Sequence, residues 1–72
     1  MKYVRVKSYL NNKLVADHAY GGDNQSIAIA RFRREYPEHN NCILAADTID
    51  DSDPEYKEWF RVARECGCAH FF

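Results

Sequence analysis

Residues 20–37 decide how this 72-residue chain is built: Tyr20-Gly21-Gly22-Asp23-Asn24-Gln25-Ser26-Ile27-Ala28-Ile29-Ala30-Arg31-Phe32-Arg33-Arg34-Glu35-Tyr36-Pro37. Gly21-Gly22 ends whatever precedes it, and Asp23 or Asn24 is suited to cap a helix running to about Tyr36. Pro37 stops that helix, because it lacks a backbone donor and biases Tyr36 away from helical angles. Ala28, Ile29, Phe32 and Tyr36 fall at the i, i+3/i+4, i+7/i+8 spacing of a buried stripe. Arg31, Arg33 and Arg34 lie off the stripe and are expected to face solvent.

Upstream, Tyr3 to Leu10 and Leu14 to Tyr20 are rich in valine and aromatics and flank Asn11-Asn12-Lys13, which reads as a β-hairpin. A two-residue loop sets Val6 opposite Asp17. A three-residue loop sets Leu10 against Leu14, Ser8 against Ala16, Val6 against His18 and Val4 against Tyr20, with Lys7 facing Asp17 on the other side. The second register is preferred, because a slip of one residue would turn every side chain to the wrong face.

Downstream, Asn40-Asn41 make a turn, and Cys42-Ile43-Leu44-Ala45-Ala46 reads as a short third strand with room to extend to Ile49. Asp53, Pro54 and Glu55 form a helix-start signal for a second helix to about Cys66, with Gly67 as its C′ residue. Tyr56, Trp59, Phe60 and Ala63 line its apolar face, with Cys66 at the margin. The apolar tail Cys68-Ala69-His70-Phe71-Phe72 provides an optional short fourth strand. The expected fold class is α+β in the order ββαβα, with a mainly antiparallel sheet and both helices packed on one face. Residues 1–72 make a single domain, since a chain of this size can hold only one sizeable core.

An apolar fraction of 46% and a charged fraction of 29% are ordinary for a globular protein. No apolar run approaches a membrane span, and Met1-Lys2-Tyr3-Val4-Arg5 lacks the apolar stretch of a secretory signal, so the expected location is the cytoplasm. Cys42, Cys66 and Cys68 are odd in number and suit free thiols. The net charge of −1 is unevenly divided. Residues 1–38 hold seven Lys/Arg against four acids and residues 39–72 hold three against seven, giving +3 and −4. Such a dipole suits neither a uniformly basic nucleic-acid binder nor an acidic mimic.

No catalytic arrangement stands out. His18, His39 and His70 lack an ordered cysteine partner, Gly21-Gly22 is a turn and not a phosphate loop, and the acidic segment lacks a calcium-loop frame. Neither an enzymatic activity nor a cofactor is expected. Cys66, Cys68 and His70 have residue types that suit zinc, but not the spacing of common structural sites. Two surfaces remain as candidate partner sites. Asp47, Asp50, Asp51, Asp53 and Glu55 form a candidate acidic ridge for basic partner residues. Tyr3, Arg5, Lys7 and Tyr9, with Arg31 and Arg34, form a candidate aromatic and basic face on which Tyr3 and Tyr9 would be exposed anchors.

The stretch from Tyr20 to Pro37, following a hairpin and preceding a short apolar strand, resembles the small hairpin-helix-strand proteins of phages and mobile elements, anti-CRISPR proteins among them. Ala28, Ile29, Phe32, Tyr36 and Pro37 carry the resemblance, which is one of layout over the first two thirds of the chain. It implies a non-enzymatic inhibitor that blocks a larger host protein or ribonucleoprotein complex by occupying a surface made for nucleic acid. The alternative is a nucleic-acid-binding accessory protein that uses the Tyr/Arg/Lys face directly. No membrane partner is expected, and the aromatic content leaves room for a homodimer.

Overall fold

The computed structural model describes residues 1–67 and, for the backbone, residues 69–70. Two long strands, β1 (Lys2–Leu10) and β2 (Lys13–Gly21), form the hairpin, followed by α1 (Gln25–Glu35) and a 3₁₀ turn at Pro37–His39. Then come β3 (Ile43–Asp50), a second 3₁₀ turn at Pro54–Tyr56, α2 (Lys57–Cys66) and β4 (Ala69–His70). The sheet order is β3-β1-β2-β4, antiparallel except for the two-residue β4, which runs parallel to β2. The α+β class and the ββαβα order are those expected from the sequence, with the short fourth strand present.

Local signals explain the element boundaries. The Asn24 side chain accepts the Ile27 N–H at 3.1 Å, capping α1. At its other end the Tyr36 N–H reaches the Phe32 carbonyl at 2.9 Å, and Pro37 opens the 3₁₀ turn. Asp53 accepts the Glu55 N–H at 3.0 Å beside Pro54, and the chain runs from this turn into α2. Gly67 closes α2 at φ 76°, a left-handed angle that glycine adopts without a Cβ clash.

The hairpin combines features of both registers considered above. Asn11 and Asn12 hold φ values of 52° and 65°, as in a two-residue type I′ turn, so Leu10 pairs with Lys13 and Tyr9 with Leu14. Between Tyr9–Leu14 and Ser8–Ala16 the register shifts, leaving Val15 as the extra residue of a bulge. Beyond it Ser8–Ala16, Val6–His18, Val4–Tyr20 and Lys7–Asp17 pair as expected; Leu10–Leu14 does not. Asparagine tolerates left-handed angles, which selects the tight turn. The bulge then restores the alternation that the core requires.

The placement of both helices on one face is corrected by the packing. Val4, Val6 and Tyr20 are buried with Ala28 and Phe32 of α1, and Ile29, Tyr36, Leu44 and Ala46 close around them. Tyr3, Ala19 and Ile49 are buried with Phe60 of α2, flanked by Tyr56 and Trp59. Tyr3 and Val4 are neighbours on one strand and point to opposite faces, so the helices sandwich the sheet. The reason lies in the cross-strand rows. Tyr3 stands beside Ile49, and the neighbouring row places Ala19 beside Arg5, giving that end of the second face an apolar surface that must be covered.

Candidate binding surface

Past the Tyr3–Ile49 row the second face continues as three cross-strand rows, the first of them partly under α2. The first is Ala19–Arg5–Asp47, the second Asp17–Lys7–Ala45 and the third, at the hairpin end, Leu14–Tyr9–Ile43. The charged residues of the first two rows are paired largely among themselves. Arg5 forms a fork on Asp17, with Nε at 2.8 Å and Nη2 at 2.6 Å from its two carboxylate oxygens. Trp59 Nε1 lies 3.4 Å from the same carboxylate, and the Arg5 guanidinium sits 4.8 Å from the centre of the Trp59 ring. Hydrogen bonding to Asp17 raises the Arg5 pKa, against the opposing effect of burial. Lys7 Nζ is 3.7 Å from Asp47.

The third row is different in kind. Leu14 is 50% exposed and Ile43 73%, with the half-buried Tyr9 between them. Leu10 is also exposed at the same end of the molecule. The result is a band of apolar and aromatic side chains across three strands, adjoining the Lys7–Asp47 pair.

The aromatic and basic face drawn from the sequence does not form one surface. Tyr3 is 2% exposed and packs against Phe60 with ring centres 5.0 Å apart, so it cannot serve as an exposed anchor. Arg5, Lys7 and Tyr9 lie on the α2 side of the sheet, whereas Arg31 and Arg34 belong to α1 on the opposite side. Arg31 is bridged to Glu35 at 2.7 Å and lies over the Tyr20 ring at 5.1 Å; Arg33 and Arg34 are exposed. Alternation along β1 explains the error, since Arg5 and Lys7 mark a face as polar only until the neighbouring strands and helix are placed.

The acidic ridge is drawn inward. Asp50 accepts the Ser52 backbone N–H at 2.9 Å and the Ser52 hydroxyl at 2.8 Å, and lies 3.3 Å from the amino terminus. These contacts, the Ser52 backbone bond foremost, hold its pKa down at about 2. Asp51 is 3.0 Å from the same ammonium group and 3.8 Å from Arg64. Hydrogen bonds to Asp51 and Asp50 raise the pKa of that ammonium above its ordinary value. Asp53 is a cap. Asp47 and Glu55 are the exposed members of the set, at different ends of the segment.

A cluster that periodicity alone does not reveal lies at the far end of α1. His18 stacks near Tyr36 at 4.7 Å and Phe32 at 6.0 Å, and His39 sits 5.8 Å from Phe32 and 6.0 Å from Tyr36. His39 Nδ1 is 3.4 Å from Ser8 Oγ and 3.8 Å from Cys42 Sγ, and its Nε2 is 4.0 Å from Glu38. Serine, histidine and glutamate in this order invite comparison with a hydrolytic triad. Ser8 is 0% exposed, however, so its hydroxyl is closed to any substrate. The adjoining open cleft, of about 500 Å³, is lined by Leu14 to His18 with Tyr36, Glu38 and His39.

Cys42 and Cys66 are free thiols. Among the described residues no three His, Cys, Asp or Glu side chains stand where they could share a metal ion. Of the zinc candidates, Cys66 is exposed, with Sγ 3.7 Å from the Ala63 carbonyl, while Cys68 and the His70 side chain lie outside the described residues. Among the described residues no helix is long and apolar enough to cross a membrane. No family model, curated protein or solved structure matches the chain.

Proposed function

We propose that this chain is a non-enzymatic protein-binding module. The observation that carries the reading is the exposed Leu14–Tyr9–Ile43 row beside the Lys7–Asp47 pair. Apolar and aromatic side chains gathered on one patch, rimmed by charge, are what a protein interface uses as its centre. Most of the acids proposed as contacts serve the turn before α2, so Asp47 and Glu55 are the ones offered to basic groups of a partner. The resemblance in layout to small phage proteins adds a class of partner, a larger host complex that handles nucleic acid and is inhibited by occupation of its binding surface. The cytoplasm is the compartment in which such an encounter takes place.

The test is affinity capture with tagged protein from host lysate, divided into nuclease-treated and untreated halves and read by mass spectrometry. A stoichiometric protein partner retained after nuclease treatment is the expected result. Recovery of nucleic acid alone, or of proteins lost on nuclease treatment, would replace this reading with the accessory nucleic-acid binder. Asp47→Lys and Glu55→Lys probe the acidic contribution. Asp50 and Asp51 are unsuitable for this purpose, because their replacement also disturbs the turn and the amino terminus.

A further inference from the structure

The two outer strands differ in how their edges are treated. On one side β4 pairs with Ala19 and Tyr20 of β2, and the Val15 bulge interrupts the remainder of that strand. On the other side β3 presents Ile43–Asp50, eight residues without a bulge or proline, and no strand among the described residues pairs with its outer edge. The Asp51 N–H donates to the Met1 carbonyl at 3.2 Å, which marks the odd-numbered residues of β3 as those hydrogen-bonded to β1. The N–H and C=O groups of Leu44, Ala46 and Thr48 therefore point toward the free edge.

We propose that this edge pairs with the β3 edge of a second copy of the chain, antiparallel about a two-fold axis, joining two sheets into one. Such an axis, perpendicular to the sheet, keeps each face on its own side, so opposed residues must share odd or even parity. Four registers satisfy this with an overlap of five residues or more within Ile43–Asp50, and centring on Thr48 is disfavoured because it sets Asp47 opposite the apolar Ile49. Centring on Asp47 sets two carboxylates directly opposite each other in a closely spaced pair, and centring on Ala45 sets Ile43 opposite Asp47. Centring on Ala46 avoids all of these pairings. Leu44 then bonds with Thr48 of the second copy, Ala46 with Ala46, and Asp47 lies opposite the small Ala45. In that register Ile43, the most exposed of the large apolar side chains among the described residues at 73%, lies opposite Ile49, which is buried against α2. An exposed isoleucine at the end of an edge strand thereby gains an apolar neighbour, while Leu14 and Tyr9 of each copy remain open. Ile43 and Asp47 belong both to the proposed partner surface and to this seam, so self-association is read on the purified protein with no partner present.

The test uses the whole chain. Sedimentation of the purified protein is expected to show concentration-dependent growth from 8.4 kDa to twice that mass. In a background carrying Cys42→Ser, Cys66→Ser and Cys68→Ser, Ala46→Cys is expected to form a covalent dimer on mild oxidation, since facing residues of a hydrogen-bonded pair stand about 5.5 Å apart, within disulfide reach. Asp47→Cys in that background is expected to remain monomeric on a non-reducing gel. Ala45→Lys, facing Asp47 of the second copy, is expected to tighten association and Ala45→Glu to weaken it, each by about 2- to 30-fold from two symmetric contacts. Thermal melts of both variants at dilute concentration provide the folding control. A monomer at every concentration, a dimer that Ala46→Cys fails to cross-link, or the reverse order of the Ala45 variants would each overturn the proposal.

Discussion

Single side chains here derive their roles from neighbours remote in sequence. Asp17 is opposite Lys7 across the hairpin, yet its carboxylate is bound by Arg5 on the diagonal and approached by Trp59 from α2. Removing it by Asp17→Ala leaves a largely covered guanidinium without its acceptor. Urea unfolding is expected to show a loss of about 1.5–3 kcal/mol with the slope unchanged. Asp50 makes a pH prediction. Its pKa is lowered in the folded chain from 3.8 to about 2, so the stability it contributes is present above pH 3.8 and is lost as pH falls toward 2. Thermal melts across that window are expected to show a shallower decline for Asp50→Asn than for the unaltered chain. Parallel curves would mean that the Ser52 and amino-terminal contacts do not shift the carboxylate in solution.

The secondary-structure elements were legible to different depths, for physical reasons. Both helices could be read because their stop and start signals are local: Asn24 and Pro37 bound one, while for the other Gly67 marks the end and Asp53 and Pro54 mark the 3₁₀ turn from which it starts three residues later than expected, at Lys57. The hairpin's inner pairs, Val6–His18 and Lys7–Asp17, follow from alternation alone. Its tip does not, because the left-handed angles at Asn11 and Asn12 select a shorter loop and Val15 must then bulge. That geometry predicts that Asn12→Gly, which removes the Cβ penalty at φ 65°, raises the melting midpoint by a few degrees, equivalent to about 0.5 kcal/mol. A lowered midpoint would indicate that the Asn12 side chain stabilises the turn by more than its backbone strain costs.

At the scale of the whole molecule, the decisive fact is that apolar residues occupy both faces of the sheet. The sequence marks Val4 and Val6 as buried, but Tyr3 looks solvent-facing beside Arg5 and Lys7 until β3 brings Ile49 alongside it and α2 lays Phe60 over it. Placing the helices on opposite faces separates Arg5 and Lys7 from Arg31 and Arg34, and so divides the basic surface. It also leaves the hairpin end of the α2 face with Leu14, Tyr9 and Ile43 in a row and α2 packed over the other end. The acidic segment could be recognised as a charge run, but not apportioned, because Asp50 and Asp53 bind backbone donors that only the folded turn presents. The measurement that bears most directly on the reading of this protein as a binding module is partner capture by the unaltered chain and by Leu14→Asp, compared in nuclease-treated lysate. Leu14 is half exposed at the hairpin end, so the variant is expected to melt as the unaltered chain does and to lose the partner. Undiminished capture by a normally folded Leu14→Asp would contradict the assignment of this row as the binding surface.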